Sequence, residues 1–406
     1  MNILIITENF YPERNAPSKR LYDHAIEWIK LGHKVTVLTG VPNAPKGKIF
    51  KGYKNKIYQS ENLNGLDIKR VWTYIAKNEG FLFRSLDFIS FMISSLFAGL
   101  FLKKFDRIVV SSPQFLPVIS GFIIAKIKSI PFVLEIRDLW PESIVAVGSI
   151  RKESSIIKIL DRIAKYVYKK SDLIVVVTNS FKNHLISIGI DENKIIVVTN
   201  GFNFQKTLVP NKSVEDIEKE YNISAKKLIV SYVGTIGMSH GIKIILEAAD
   251  ILKDTIFLII GEGAEKKSLQ TIAENKKIIN VKFIDSINWQ EIVNINQVID
   301  YNIIHLRNLD LFEMVIPSKI FESMALKKPI IAGLIGESLA IINESKSGIS
   351  IKPENFQSLI NGINYLENNP KKSEEMAGNG FTLVSEKYNR KNLAKKMVEA
   401  IEKIGN

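Results

Sequence analysis

Short aliphatic and β-branched runs recur along the chain at Ile3–Thr7, Lys34–Thr39, Arg107–Ser112, Phe132–Arg137, Leu173–Thr178 and Lys194–Asn200. Stretches with helical patterning lie between several of them: Ala16–Leu31, Phe115–Lys128, Ser155–Lys170 and Ser180–Ile188. Strands alternating with helices imply parallel βαβ units buried on both faces of a sheet. The second half repeats the pattern. Its strand runs are Leu228–Val233, Ile256–Ile260, Val281–Ile284, Ile299–His305, Pro329–Ala332 and Gly348–Ile351. Its helices are Gly241–Lys253, Ala264–Glu274, Gln290–Ile295, Pro317–Leu326, Glu337–Ser345 and Glu354–Asn368. Between the halves, Phe204–Lys227 is polar, contains Pro210-Asn211-Lys212-Ser213 and holds one short helical pattern, Val214–Tyr221.

The expected fold class is α/β, with two Rossmann-like doubly wound domains at residues 1–204 and 205–387. A last helix, about Arg390 to Ile404, can pack on either. A length of 406 residues also suggests two domains. Ligands of such sheets bind beyond the carboxyl ends of the strands, so the loops after the strands are where chemistry is sought.

Composition narrows the possibilities. The chain has no cysteine, which excludes disulfides, thiolate metal sites and cysteine nucleophiles and fits a reducing cytoplasm. The first residues read as a strand rather than a signal peptide. Phe88–Leu102 carries no charge but is shorter than the roughly 20 residues of a membrane span. The helix expected over Phe83–Leu102 is apolar around most of its circumference, which favours burial; contact with a bilayer interface is the alternative. Net charge is +13, and residues 1–204 contribute +12 of it from 29 Lys and Arg against 17 Asp and Glu. A basic half suits lipid headgroups, a diphosphate or nucleic acid, or simply a soluble surface. The five histidines, His24, His33, His184, His240 and His305, fall in five different elements, so no metal site is expected.

Four loops could carry chemistry. Gly234-Thr235-Ile236-Gly237 follows a strand and precedes a helix, with His240 and Gly241 beyond; glycines let backbone N–H groups approach an anion. The alternative is a plain turn with Ser239 as helix cap. Pro317-Ser318-Lys319-Ile320-Phe321-Glu322 places a lysine at a helix start, where a bound phosphate would offset local repulsion, and puts Glu322 three residues on, able to accept two ribose hydroxyls. The alternative is an exposed Lys–Glu pair. Glu135-Ile136-Arg137-Asp138-Leu139-Trp140-Pro141-Glu142 gathers four ionisable groups at a strand end; the alternative is an Arg137–carboxylate network. Finally, Glu8–Arg20 can set backbone N–H groups near Asn15 and Ala16, with Lys19 or Arg20, near an anion, or can be an ordinary helix start.

Taken in order, these loops resemble the retaining GT-B glycosyltransferases of family 4, and within them the bacterial O-antigen and capsule L-fucosamine transferases. The resemblance spans the chain and rests on Asn2–Pro17, Gly32–Thr39, Arg137–Glu142, Asn200-Gly201, Gly234–Gly237, Gly261-Glu262-Gly263 and Pro317–Glu322. It implies two domains facing across a cleft, with the last helix, about 388–406, returning to the first. It implies a donor site in the second domain: Gly234, Thr235, Gly237 and His240 around the diphosphate, Ser318 and Lys319 neutralising it, Glu322 holding ribose, and Gly261, Gly263, Ser286 and Ile287 edging the base. Asp138, with Arg137 and Glu142, would act near the reacting sugar. Asn15, Ala16, Lys19 and Arg20 would serve the acceptor or phosphate side.

The sequence departs from the wider family at two points. Relatives carry two glutamates eight positions apart, whereas Met314 occupies the earlier position and Glu313 is one residue off. An Arg and a Lys of relatives fall near Thr235 and His240. The implied partners are a nucleotide-sugar donor, a lipid-diphosphate-linked saccharide acceptor and an anionic membrane surface, with no nucleic acid, no cofactor and no metal. Rival readings are a sugar-nucleotide epimerase on the same fold and a non-catalytic basic nucleic-acid-binding protein.

Overall fold

The computed structural model describes the chain apart from residues 14, 45–46, 76–80, 113–114, 143–144, 146–153 and 406, and the side chains at 81, 82 and 84. Arg14, within the Glu8–Arg20 stretch, lies outside the described residues. The chain divides into two units, Met1–Thr199 with Arg390–Asn406, and Asn200–Asn389. The division falls after Thr199 rather than after Phe204. Phe202 and Phe204 pack with Ile304, Phe321 and Val384 of the second unit, and Phe202 N–H donates to Tyr388 O at 2.9 Å.

The first unit runs β1 (Asn2–Ile6), α1 (Ala16–Lys30), β2 (Lys34–Thr39), β3 (Tyr58–Leu63), β4 (Leu66–Val71), α2 (Phe81–Phe101), β5 (Arg107–Ser112), α3 (Leu116–Lys128), β6 (Phe132–Ile136), α4 (Ser155–Lys170), β7 (Leu173–Val176), α5 (Asn179–Ser187) and β8 (Ile195–Val197). Its sheet has the order β3-β4-β2-β1-β5-β6-β7-β8. Every pairing is parallel except β3 with β4. The β3–β4 hairpin is absent from the sequence expectation. Its alternation Gln59, Glu61, Lys69 is that of a half-solvated edge, not of a buried parallel strand.

One face of this sheet buries Ile3, Ile5, Val35, Val37, Val109 and Val133 beneath α1 and the last helix of the chain. That helix spans Arg390–Glu402 and belongs to the first unit. Trp28 Nε1 donates to Ala394 O at 2.9 Å, and Arg390 pairs with Asp23. The helix α2 lies on α3 through small residues: Ser95 Oγ meets Ser120 Oγ at 2.9 Å, and a Cβ on Gly99 would stand 2.4 Å from Ile124 Cδ1. This arrangement corrects the expectation of a buried helix. Phe91, Ser95 and Gly99 face inward, and Phe83, Leu86, Ile89, Ile93, Phe97 and Phe101 face outward.

The second unit runs α6 (Val214–Tyr221), β9 (Ile229–Val233), α7 (Lys243–Ile251), β10 (Ile256–Ile260), α8 (Lys266–Asn275), β11 (Val281–Ile284), α9 (Trp289–Ile295), β12 (Tyr301–His305), α10 (Lys319–Ala325), β13 (Ile330–Gly333), α11 (Gly336–Ser345), β14 (Gly348–Ser350), α12 (Phe356–Glu367) and α13 (Pro370–Glu386); the Arg390–Glu402 helix is then α14. All pairings in its sheet, β11-β10-β9-β12-β13-β14, are parallel. Val230, Tyr232, Phe257, Ile259 and Ile303 fill its core under α7 and α12. Inside the sheet, Asn302 joins Ser231 and Ser323 by side-chain hydrogen bonds, so a polar residue on a central strand is fully partnered. The sequence expectation did not include α13.

Candidate functional site

In the second unit the carboxyl ends of β9, β10 and β11 bring three loops together. Gly234 has φ +139° and Gly261 has φ +152°, backbone conformations that favour glycine. A Cβ at Gly261 would fall 1.9 Å from the Gly234 carbonyl oxygen, and one at Gly263 would fall 2.1 Å from the Ile236 oxygen. The loops are stitched by Gly234 N–H to Ile260 O (2.8 Å), Ile236 N–H to Glu262 O (2.9 Å) and Gly261 N–H to Ile284 O (2.9 Å). Among the described residues, the N–H groups of Thr235 and Gly237 meet no protein acceptor. Such a bare backbone surface can take an anion.

Lys319 opens α10 and reaches this surface. A Cβ on Gly234 would stand 2.2 Å from the lysine Cε, so glycine there admits the lysine. Its Nζ donates to the Tyr232 hydroxyl at 2.6 Å and lies 4.1 Å from that ring's centre. The hydroxyl donates to Thr235 O at 2.6 Å. Burial pulls the ammonium down to about 7, against the upward pull of Glu322. No carboxylate lies within ion-pair distance of it among the described residues. A bound anion would restore its charge. Glu322 is half-buried, and its carboxylate has no hydrogen-bond partner among the described residues.

Two histidines shape the same loop. His305 Nδ1 donates to His240 O at 2.6 Å and its Nε2 accepts the Glu354 N–H at 2.9 Å, which fixes its neutral tautomer. Burial lowers it. Burial, followed by the Lys319 charge, lowers His240 to about 4. His240 is therefore neutral at pH 7 and does not replace a family cation. Ser239 does not cap α7, which begins at Lys243 without a side-chain cap; a 3-10 turn, Met238–His240, intervenes. Pro317 and Ser318 precede α10 rather than forming its first turn, and Ser318 makes no capping bond. Ser286 is exposed beyond β11, whereas Ile287 packs on the core. Glu313 lies against α11, its carbonyl oxygen 2.1 Å from where a Gly336 Cβ would be.

In the first unit, the carboxyl end of β6 carries the second constellation. Arg20 is buried and each guanidinium nitrogen is engaged: Nε with Glu135 (2.8 Å), Nη1 with Thr199 O (2.6 Å) and Nη2 with Val198 O (2.7 Å). This corrects the expectation that Arg20 is presented to an anion, because its donors are consumed inside the fold. Ser111 completes Glu135 at 2.5 Å. Asn15 caps α1 by accepting Ser18 N–H at 2.9 Å, Ala16 is exposed, and Lys19 is half-buried.

Arg137 forms no ion pair among the described residues, and its buried Nε and Nη1 have no hydrogen-bond partner there. Burial, opposed by Glu135, sets it at about 10. Asp138 keeps a solvent-exposed face, yet the protein around it raises its carboxyl to about 6, with Arg137 opposing. Burial raises the Glu142 carboxyl, but His184, 3.5 Å away, outweighs it and the net shift is downward. An Arg137–carboxylate network is therefore not what holds this turn. Sequence reasoning missed Tyr232 and His305. Both sit in apolar strand runs, where they read as core.

The description Glycosyltransferase Family 4 fits residues 18–206, and Glycosyl transferases group 1 fits residues 213–382. The chain is 24% identical over 374 residues to WcaI of Escherichia coli (strain K12), described as a colanic acid biosynthesis glycosyl transferase, covering 89% of this chain and 91% of that one. Its fold is similar to sucrose-phosphate synthase from Thermosynechococcus elongatus, with TM-score 0.76, 16% identity and coverage of 99% and 98%. It is similar also to Anabaena Alr3699/HepE in complex with UDP and glucose, with TM-score 0.73, 16% identity and 99% of each chain. With Glycosyltransferase Family 4 on the first unit, Glycosyl transferases group 1 on the second and one Rossmann-like sheet in each, as the GT-B architecture has, the chain belongs to the family 4 GT-B glycosyltransferases.

Proposed function

We propose that the protein transfers a hexosyl residue, of the N-acetyl-L-fucosamine type, from a UDP-linked donor to a lipid-diphosphate-linked saccharide in O-antigen or capsule synthesis, at the cytoplasmic face of a membrane. The observation that carries the reading is Lys319, set without a carboxylate partner against the bare Gly234–Gly237 backbone. A diphosphate seated there meets fixed N–H groups and an ammonium, which stabilise charge as the leaving group departs, and no metal is needed. Glu322 accepts the ribose hydroxyls, and Ser286 with Gly261 and Gly263 edges the base. Asp138 orients the acceptor or a donor hydroxyl. Retention follows front-face attack, with the donor phosphate taking the acceptor proton. Uracil is the base favoured, by analogy with the fold relative in complex with UDP and glucose.

The test is calorimetry of UDP, GDP and their sugar derivatives against wild type, Lys319→Ala and Glu322→Ala without metal. UDP-sugar binding by wild type, weakened about 10–100-fold in Lys319→Ala, is expected from loss of a charged hydrogen bond. Absence of nucleotide binding, or equal binding by all three, overturns the donor site. Turnover of the nucleotide sugar without acceptor would point to an epimerase.

A further inference from the structure

The surface of the first unit carries a feature the donor site does not use. Along α2, the exposed residues between 83 and 101 among the described side chains are Phe83, Leu86, Ile89, Ile93, Phe97 and Phe101, all large and apolar. Their spacing of three and four places them on one stripe of the helix. Phe97 is 61% and Phe101 88% exposed, far beyond what a core helix leaves open. The inward stripe is made of Phe91, Ser95 and Gly99. Phe91, Ser95 and Gly99 thus meet the protein while a row of large apolar side chains stays outside, whereas a soluble surface helix turns polar residues outward.

The patch continues sideways. Tyr74 N–H donates to Ser90 Oγ at 2.7 Å, bringing exposed Tyr74, Trp72 and Ile57 of the hairpin edge beside α2. On the other side α3 presents Ile127, and Phe122 meets Tyr166 edge-on at 5.9 Å, joining α4 with its exposed Ile156 and Ile159. Basic groups border it. Lys103 and Lys104 follow α2, Lys126 flanks Ile127, and Lys158, Arg162, Lys169 and Lys170 are exposed on α4. Among the described residues no helix is long and apolar enough to cross a membrane.

We propose that α2 lies in the plane of an anionic bilayer, with Phe97 and Phe101 inserted among the acyl chains and the flanking lysines on the lipid phosphates. The occupant is argued from charge complementarity. An apolar stripe about 27 Å long with basic borders and aromatic Trp72 and Tyr74 at one edge has the character of an interfacial helix. The inference rests on the lipid-linked acceptor reading only for its purpose. The contact itself is apolar as well as electrostatic.

The test uses the full chain with phosphatidylglycerol–phosphatidylcholine vesicles, in sedimentation at low and high salt. Wild type is expected to bind, and Phe97→Ser with Phe101→Ser to lower the partition coefficient at least about tenfold. Lys103→Glu with Lys104→Glu should weaken binding mainly at low salt. Thermal melts and UDP calorimetry on each variant show that fold and donor site are unchanged, so a failed donor site and a failed membrane surface are told apart. Equal vesicle binding by the phenylalanine variant overturns the proposal. So does a wild-type dimer in size exclusion that the variant abolishes, since a second copy would then cover the stripe.

Discussion

Lys319 rests on Tyr232, its ammonium 2.6 Å from the phenol oxygen and, among the described residues, beyond ion-pair distance of any carboxylate. Burial holds its pKa at about 7 in the free protein, and a bound diphosphate must raise it. A group whose pKa rises on binding favours binding in full below its free-state value and loses that contribution as pH climbs toward the bound-state value. UDP-sugar affinity is therefore expected to be flat below about pH 7 and to weaken above it, by up to about tenfold per pH unit. A nucleotide-sugar diphosphate has no group of its own titrating in that range. Calorimetry from pH 6 to 9 should show proton uptake on binding in wild type and a flat profile in Lys319→Ala; a flat wild-type profile contradicts the assignment.

Two glycines make a paired test. Gly261→Ala puts a Cβ 1.9 Å from backbone at φ +152°, so loss of about 3 kcal/mol and of nucleotide binding is expected. Gly378 sits exposed inside α13, and a Cβ there meets nothing within 4 Å. Gly378→Ala should stabilise by about 0.5–1 kcal/mol and raise the melting temperature without touching binding.

The Arg20–Glu135 pair is sealed from water, at 1% and 0% side-chain exposure. Arg20→Leu strips the buried Glu135 carboxylate of its ion pair, leaving it the Ser111 hydrogen bond, and is expected to cost about 3–5 kcal/mol in denaturant unfolding. Burial raises Glu135, but Arg20, Arg137 and Ser111 outweigh it and lower it below 4.5. Its contribution is thus present above pH 4.5 and lost as pH falls through the lower folded-state value. The variant's stability should lose less than wild type on acidification through that window.

His305 links the Gly234–Gly241 loop to Glu354. His305→Phe unpairs the His240 carbonyl and the Glu354 N–H, and is expected to cost about 2 kcal/mol and weaken nucleotide binding. Because the folded protein holds His305 below 6.5, its contribution is full above pH 6.5 and declines as pH falls. A melt series in pH that shows no difference between wild type and variant would remove the linking role.

Much of this was legible before any coordinates. Continuous runs such as Phe132–Arg137 and Ile256–Ile260 announce buried parallel strands, and the glycine loop and Lys319 stand at strand ends where such sheets place ligands. The hairpin Tyr58–Val71 is marked in the sequence by its Asn64-Gly65 turn, with φ +51° and +85°, but a solvated edge pair has no continuous apolar run to announce its strands. The lysine's phenol partner was hidden for the opposite reason: Tyr232 lies in the largely apolar run Leu228–Val233, and only the three-dimensional placement of α10 turns its hydroxyl into a contact. The fate of Arg20 depended on the carbonyls of Val198 and Thr199, nearly half a chain away. The stripe on α2 was apolar in sequence, but which face met the protein was decided by Ser95 and Gly99.

The helix that closes over Trp28 is encoded after every residue of the second unit. During synthesis on a ribosome, residues 200–389 emerge as an uninterrupted stretch and can fold first. The sheet face beneath α1 stays partly uncovered until Ala394 and Met397 arrive. In that interval the apolar groove beside Trp28 is open to chaperones or to the same helix of another chain, so the first unit is the last to be sealed although it is the first to be made.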